Sequence, residues 1–140
     1  MKDYMQQYKF QGNYCLRLAF QELIKKEIKK QDYDLLLPIP VTSHTMQTRG
    51  FNQVTGLIEG IKYTSLLHHL AYQKIAQSQK TRRGRLDNQQ PFWLESPEII
   101  KGRRVLLVDD IYTTGRTLYY AAVLCREAHC QSVKSLSLAR

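Results

Sequence analysis

Two adjacent carboxylates, Asp109 and Asp110, follow four aliphatic residues in VLLVDDIYTTGRT (residues 105–117), and a threonine–glycine turn follows them. Val105 to Val108 reads as a buried strand. The acids then fall at its carboxyl end, where open α/β sheets place their ligand crevice. Neighbouring residues there point to opposite sides, which gives the two acids different jobs. One can accept hydrogen bonds from the vicinal hydroxyls of a sugar, while the other faces a ribose edge or a hydrated cation. Next come Thr113, Thr114, Gly115, Arg116 and Thr117, where a turn opens into a helix. Exposed N–H groups, the positive end of the helix dipole and threonine hydroxyls make that place an anion site, and Gly115 lets the backbone come close. Sugar-hydroxyl acceptors beside a phosphate cradle suit a ribose 5-phosphate. The stretch is neither G-x-x-x-x-G-K-[ST] nor G-x-G-x-x-G, so ATPase and nicotinamide readings lose support. In the competing structural reading, Asp109 and Asp110 cap the helix and Gly115 merely permits the turn.

The elements that must position these residues are legible around them. The KGRR turn at Lys101–Arg104, the strand Val105–Val108, a loop Asp109–Thr117, a helix to about Ala128 and a strand Val133–Leu138 form a βαβ unit of a parallel sheet. Upstream, Leu16, Ala19, Phe20, Leu23, Ile24 and Ile28 recur at helical spacing with lysines opposite, predicting an amphipathic helix over Cys15–Lys30. Asp32 to Pro38 reads as a short buried strand stopped by prolines. Val54, Leu57, Ile58 and Ile61 keep helical spacing, interrupted by Gly56 and Gly60. Leu66–Leu70 is a further apolar segment, and PFWLESPE, with Phe92 and Trp93, reads as irregular packing. The fold class is α/β, a Rossmann-like parallel sheet with helices on both faces.

The 140 residues suffice for one domain, taken here as residues 1–140. With 43% hydrophobic and 24% charged residues, the composition is that of a folded protein and argues against disorder. No apolar run approaches the roughly 20 residues of a membrane span, and MKDYMQQYKF lacks a secretory h-region, so the expected location is cytoplasmic. Cys15, Cys125 and Cys130 form no C-x-x-C pair and read as reduced, mostly buried thiols. His44, His68, His69 and His129 have no metal-ligand spacing, so no direct protein metal site is assigned. A net charge of +9 favours polyanions: nucleic acid, phosphorylated metabolites or an acidic partner surface.

An aliphatic strand, two acids, two further residues and Thr-Thr-Gly-Arg-Thr resemble the signature of the type I phosphoribosyltransferases. The resemblance implies a Rossmann-like domain that binds phosphoribosyl pyrophosphate with magnesium carried by the ligand. Asp109 and Asp110 would hold the ribose hydroxyls, and Thr113 to Thr117 would cradle the 5-phosphate. TRGFNQ at Thr48–Gln53, the preceding PIPVTSHTMQ, YKFQG at Tyr8–Gly12, and Gln77, Arg85 and Asn88 are similar to the ComF family over nearly the whole chain. That likeness implies a late competence protein acting in DNA uptake and natural transformation beside a helicase ATPase. The cysteine-rich zinc-binding segment that many members carry ahead of YKFQG has no counterpart before Tyr8, implying a truncation or a start upstream of Met1.

By the same likeness, the loop Pro40–Arg49 lies where pyrophosphate is gripped. Thr42, Ser43 and Thr45 offer hydroxyl and backbone donors, and Arg49 can pair with phosphate bidentately or serve as a structural arginine. Gly50 and Phe51 read as turn and core. Lys80, Arg82, Arg83 and Arg85 form the densest basic run. Three readings of it stand: a solvated face, a flap over pyrophosphate, or a backbone contact for single-stranded DNA. If the chain is an enzyme, pyrophosphate leaves the anomeric carbon through an oxocarbenium-like state. Asp109 and Asp110 hold the ring, and Arg49 and the basic run stabilise the leaving group. No base pocket, and hence no acceptor, is readable. A ligand-sensing adaptor, an active transferase of nucleotide metabolism and a basic single-stranded-DNA-binding adaptor with a vestigial site are the other readings.

Overall fold

A computed structural model of the chain describes residues 18–70, 90–112 and 114–139. Helix α1 (Leu18–Lys29) is followed by strand β1 (Leu35–Pro38), the short helices α2 (Ser43–Arg49) and α3 (Gln53–Leu57), and strands β2 (Leu67–His69) and β3 (Phe92–Leu94). A 3₁₀ turn at Pro97–Ile99 leads into β4 (Arg104–Ile111), helix α4 (Arg116–Glu127) and β5 (Ser132–Ala139).

Strands β1, β4 and β5 form a parallel sheet in the order β1-β4-β5, with Leu35 opposite Val105, Pro38 opposite Val108 and Val108 opposite Leu136. The central strand is apolar on both faces because both are covered, and its alternation feeds two cores. Val105 and Leu107 pack with Leu37, the α4 residues Leu118, Ala121 and Cys125, and Phe92 of β3. Leu106 and Val108 pack with Leu36, the α1 residues Ile24 and Ile28, and Val54, Leu57 and Ile58 around α3. Helices therefore cover both faces, as the sequence implied. Burial also explains Cys125, whose thiol is pushed up to about 12, and which lies fully inside.

An ion cluster closes the amino end of the sheet. Arg104 donates to Asp34 through Nε at 3.1 Å and Nη2 at 3.0 Å, its backbone N–H reaches Asp34 Oδ2 at 2.9 Å, and Nη1 pairs with Asp32. The paired guanidinium holds the Asp34 carboxyl down at about 2, and Arg104 itself is raised. Strand β1 begins at Leu35, later than the Asp32 expected, and Asp34 still donates its backbone N–H to Arg104 O at 2.8 Å.

Four further expectations change. Pro40–Arg49 is not a continuous loop: Thr42 caps a helix from Ser43, its Oγ1 accepting from Thr45 N at 3.1 Å, and Gly50 ends it at φ 79°. That helix buries none of its residues, so it carries no apolar period to read. The helix through Val54–Ile61 stops at Leu57, where Ile58 caps it and Gly60 takes φ 89°. PFWLESPE is not irregular throughout, since Phe92–Leu94 pairs antiparallel with Leu67–His69, a partner too distant to be read locally. Leu23 lies on the exposed side of α1, opposite the buried Ile24 and Ile28. The YKFQG stretch, Cys15 and Lys80–Arg85 lie outside the described residues.

Candidate functional site

The acids belong to β4 and not to a loop. Asp109 stands opposite Ser137 and Ile111 opposite Ala139, so pairing with β5 carries the strand through both carboxylates. Asp109 is 9% exposed and Asp110 is 3% exposed. Carboxylates buried this far need donors. Asp109 Oδ1 accepts from Asp110 N and Asp110 Oδ1 from Ile111 N, each at 2.8 Å. The alternation of β4 puts Asp109 on the face of Leu107 and α4, and Asp110 on the face of Val108 and α3. The two acids therefore point to opposite faces of the sheet.

Beyond them the chain turns into α4. Gly115 is the N-cap at φ 75°, no side chain caps it, and its carbonyl accepts from Tyr119 N at 2.8 Å. Asp109 and Asp110 are therefore not the helix caps that the structural alternative required. Thr114 Oγ1 accepts from Arg116 N at 3.4 Å, and Thr114, Arg116 and Thr117 are exposed while Leu118 anchors the helix in the core. Glycine is favoured at 115 for a second reason, since a Cβ there would lie 2.5 Å from the Tyr112 hydroxyl and 2.8 Å from its Cζ and would displace that ring. Thr113 lies outside the described residues.

The loop after β1 runs beside this turn, because β1 and β4 are parallel neighbours and end at the same edge. Three bonds hold its first residues. Ile39 N donates to Val108 O at 2.9 Å, Asn52 Nδ2 donates to Ile39 O at 3.3 Å, and His69 Nε2 reaches Pro40 O at 3.1 Å. Asn52 also caps α3, its Oδ1 accepting from Val54 N at 2.8 Å. Thr42 and Ser43, at the start of α2, are exposed on this edge. Arg49 stands at the other end of α2, about 9 Å along the axis, and its Nη1 donates to the buried Gln53 at 3.1 Å. The structure thus places Asp109, Asp110, Thr114–Thr117, Thr42 and Ser43 along one sheet edge, with Arg49 at the far end of α2 beside Gln53.

Asn52, His69 and Tyr112 are site neighbours that the sequence reading did not single out. Asn52 carried a signal, a capping side chain directly before the apolar run of α3. His69 and Tyr112 carried none, since their partners are brought close only by the fold. Among the described residues no group of three His, Cys, Asp or Glu side chains could hold a metal, and no helix is long and apolar enough to cross a membrane.

Comparison with known proteins agrees with this architecture. Residues 19–140 match the phosphoribosyl transferase domain family. The chain is 39% identical over 142 residues to the competence protein ComFC of Streptococcus pneumoniae, matching 100% of this chain and 63% of the relative. It is 32% identical over 146 residues to ComFC of Bacillus subtilis, matching 100% of this chain and 60% of that relative. The chain therefore spans about three fifths of the length of these curated relatives. Among solved structures, the allosteric regulatory enzyme of purine biosynthesis superposes with a TM-score of 0.54 at 19% identity, over 86% of this chain and 25% of the other. Hypoxanthine phosphoribosyltransferase from Trypanosoma cruzi superposes with a TM-score of 0.50 at 18% identity, over 91% and 67%. At these identities the superpositions speak for the fold alone. An acid pair closing the central strand, a threonine–glycine turn opening α4 and a family match over residues 19–140 converge: the chain belongs to the phosphoribosyltransferase domain family and is ComFC-like along its whole length.

Proposed function

We propose that the chain binds phosphoribosyl pyrophosphate with magnesium at the shared edge of β1 and β4, and serves DNA uptake in competence, in the cytoplasm, beside a helicase partner. The observation that carries the reading is the placement of a buried acid pair between two donor-rich turns on adjacent parallel strands. Asp109 and Asp110 accept the ribose hydroxyls. Thr113–Thr117, at the positive end of the twelve-residue α4, receive the 5-phosphate. Thr42 and Ser43 lie across the edge, where a pyrophosphate on the anomeric carbon would reach. The donor set also fits the form in which magnesium would come. Two carboxylates, each with one oxygen accepting a backbone N–H, are too few for an all-protein cage but suit a cation that arrives on phosphate oxygens and keeps several waters. The competence role rests on the two ComFC relatives.

Turnover would need only positioning and charge stabilisation by these residues, with no covalent nucleophile. The test is calorimetric titration of magnesium phosphoribosyl pyrophosphate into wild type and into Asp109→Asn/Asp110→Asn. Binding by the wild type and its loss in a folded double variant is the expected result; equal affinity in both defeats the assignment.

A net charge of +9 favours a second reading, a single-stranded-DNA adaptor whose sugar-phosphate site is vestigial. It is distinguished by DNA affinity that falls steeply with salt while the phosphoribosyl ligand fails to bind.

A further inference from the structure

His69 stands at the end of β2, opposite Phe92 of β3, and its Nε2 reaches across to the Pro40 carbonyl at 3.1 Å. A carbonyl only accepts, so Nε2 carries the proton and His69 is the donor. Burial pushes the imidazole toward its neutral form, against the smaller opposing pull of that carbonyl. The ring has little freedom to leave. It packs on Phe92 with centroids 4.7 Å apart and planes at 56°, and Leu70 N donates to Pro91 O at 2.9 Å one residue further on.

Pro40 has no N–H, so its carbonyl is the one backbone group through which it can be held. The peptide plane that includes this carbonyl also includes Val41 N–H, which points the opposite way. Fixing the carbonyl therefore fixes the direction of a donor two residues before Ser43. The preceding residue is already anchored on both sides, by Ile39 N to Val108 O and by Asn52 Nδ2 to Ile39 O. Without His69 the rigid section of this loop would end at Ile39.

We propose that His69 is a positioning residue for pyrophosphate recognition: its Nε2–H, held by the β2–β3 pair, orients the Pro40–Val41 peptide and with it the donors that follow at Thr42 and Ser43. This rests on the phosphoribosyl pyrophosphate reading above and adds a residue and a selectivity to it. The ribose and its 5-phosphate are held from β4 and α4, whereas the hydrogen bond of His69 runs to the loop after β1. The effect of His69 therefore falls on the pyrophosphate half of the ligand alone.

The experiment compares the affinities of two probes, magnesium phosphoribosyl pyrophosphate and ribose 5-phosphate, which share everything except the pyrophosphate. Each is titrated into wild type, His69→Phe, which keeps a ring against Phe92 and removes the donor, and His69→Gln, which keeps a donor. In His69→Phe the preference for the pyrophosphate-bearing probe should shrink about fivefold, the worth of one neutral hydrogen bond, with the affinity for ribose 5-phosphate unchanged. His69→Gln should restore most of it. A purely structural role would weaken both probes together. An unchanged preference in His69→Phe, or an equal loss of both probes, overturns the inference while leaving the site reading intact. Failure of His69→Gln to recover the preference also overturns it, assigning the effect to the ring. A wild type that binds neither probe removes the site reading itself, and the inference with it.

Discussion

Replacing Gly115 by alanine tests the turn at its tightest point. The residue sits at φ 75°, where an L side chain costs about 1–2 kcal/mol, and its Cβ would come within 2.5 Å of the Tyr112 hydroxyl and 2.9 Å of Cε2. These are atoms at the far end of a side chain that is 36% exposed, so the ring can swing out, at a cost of roughly another 1 kcal/mol in lost burial. Gly115→Ala should therefore destabilise the protein by about 2–3 kcal/mol, a fall in Tm on the order of 5–10 °C for a chain of this size. Denaturant unfolding of wild type, Gly115→Ala, Tyr112→Ala and the double variant separates the two contributions. In the Tyr112→Ala background the steric part disappears and about 1–2 kcal/mol of backbone cost remains. Unaltered stability of Gly115→Ala would refute the left-handed assignment, and complete recovery in the double variant would show that the backbone carries no cost.

The Asp34–Arg104 clamp makes a pH prediction. The folded Asp34 carboxyl titrates at about 2, below its ordinary 3.8, so its contribution is present above the unfolded value and is lost as pH falls through the folded one. The unfolding midpoint of the wild type should drop between about pH 4 and about pH 2 by more than that of Asp34→Asn; parallel profiles would show that the pair adds nothing in solution. For the DNA reading, replacing Lys80, Arg82, Arg83 and Arg85 with glutamine should weaken single-stranded DNA binding and flatten its salt dependence. Unchanged affinity at low salt would leave that run as a solvated face or a flap.

The parts of the fold that could be read from the sequence are those where burial imposes a period. Val105–Val108 is apolar throughout because β4 is covered on both faces, and Ile24 and Ile28 repeat at helical spacing because α1 covers one of them. Where structure arises from capping or from distant pairing, no such period exists. Helix α2 buries nothing and is set by Thr42 and Gly50, and β2 meets β3 across more than twenty residues of chain. The same distinction governs the site. Asp109, Asp110 and the Thr114–Thr117 turn lie in one continuous stretch, so their types and order could be read together. The reading of Arg49 rests on guanidinium chemistry and on the family likeness of its loop, and its hydrogen bond to Gln53 could not be read from either. The contact between His69 and Pro40 joins residues 29 positions apart and leaves no mark on either neighbourhood.

The clamp at the amino end of the sheet joins Asp34 to Arg104, residues 70 apart in sequence, and β1 pairs with no strand except β4 among the described residues. Synthesis at about 5–20 residues per second puts roughly 4–14 seconds between the appearance of the two partners on the ribosome. Throughout that interval Leu36 and Leu37, fully enclosed in the finished molecule, have no sheet to enter. Strand β1 is thus made well before it is sheltered, and the emerging chain carries an apolar, strand-forming segment that chaperones can hold or neighbouring chains can capture. The sheet edge that gathers the site therefore has a cost in biogenesis: the connection that brings the loop after β1 beside the acids of β4 delays the closure of the core beneath them.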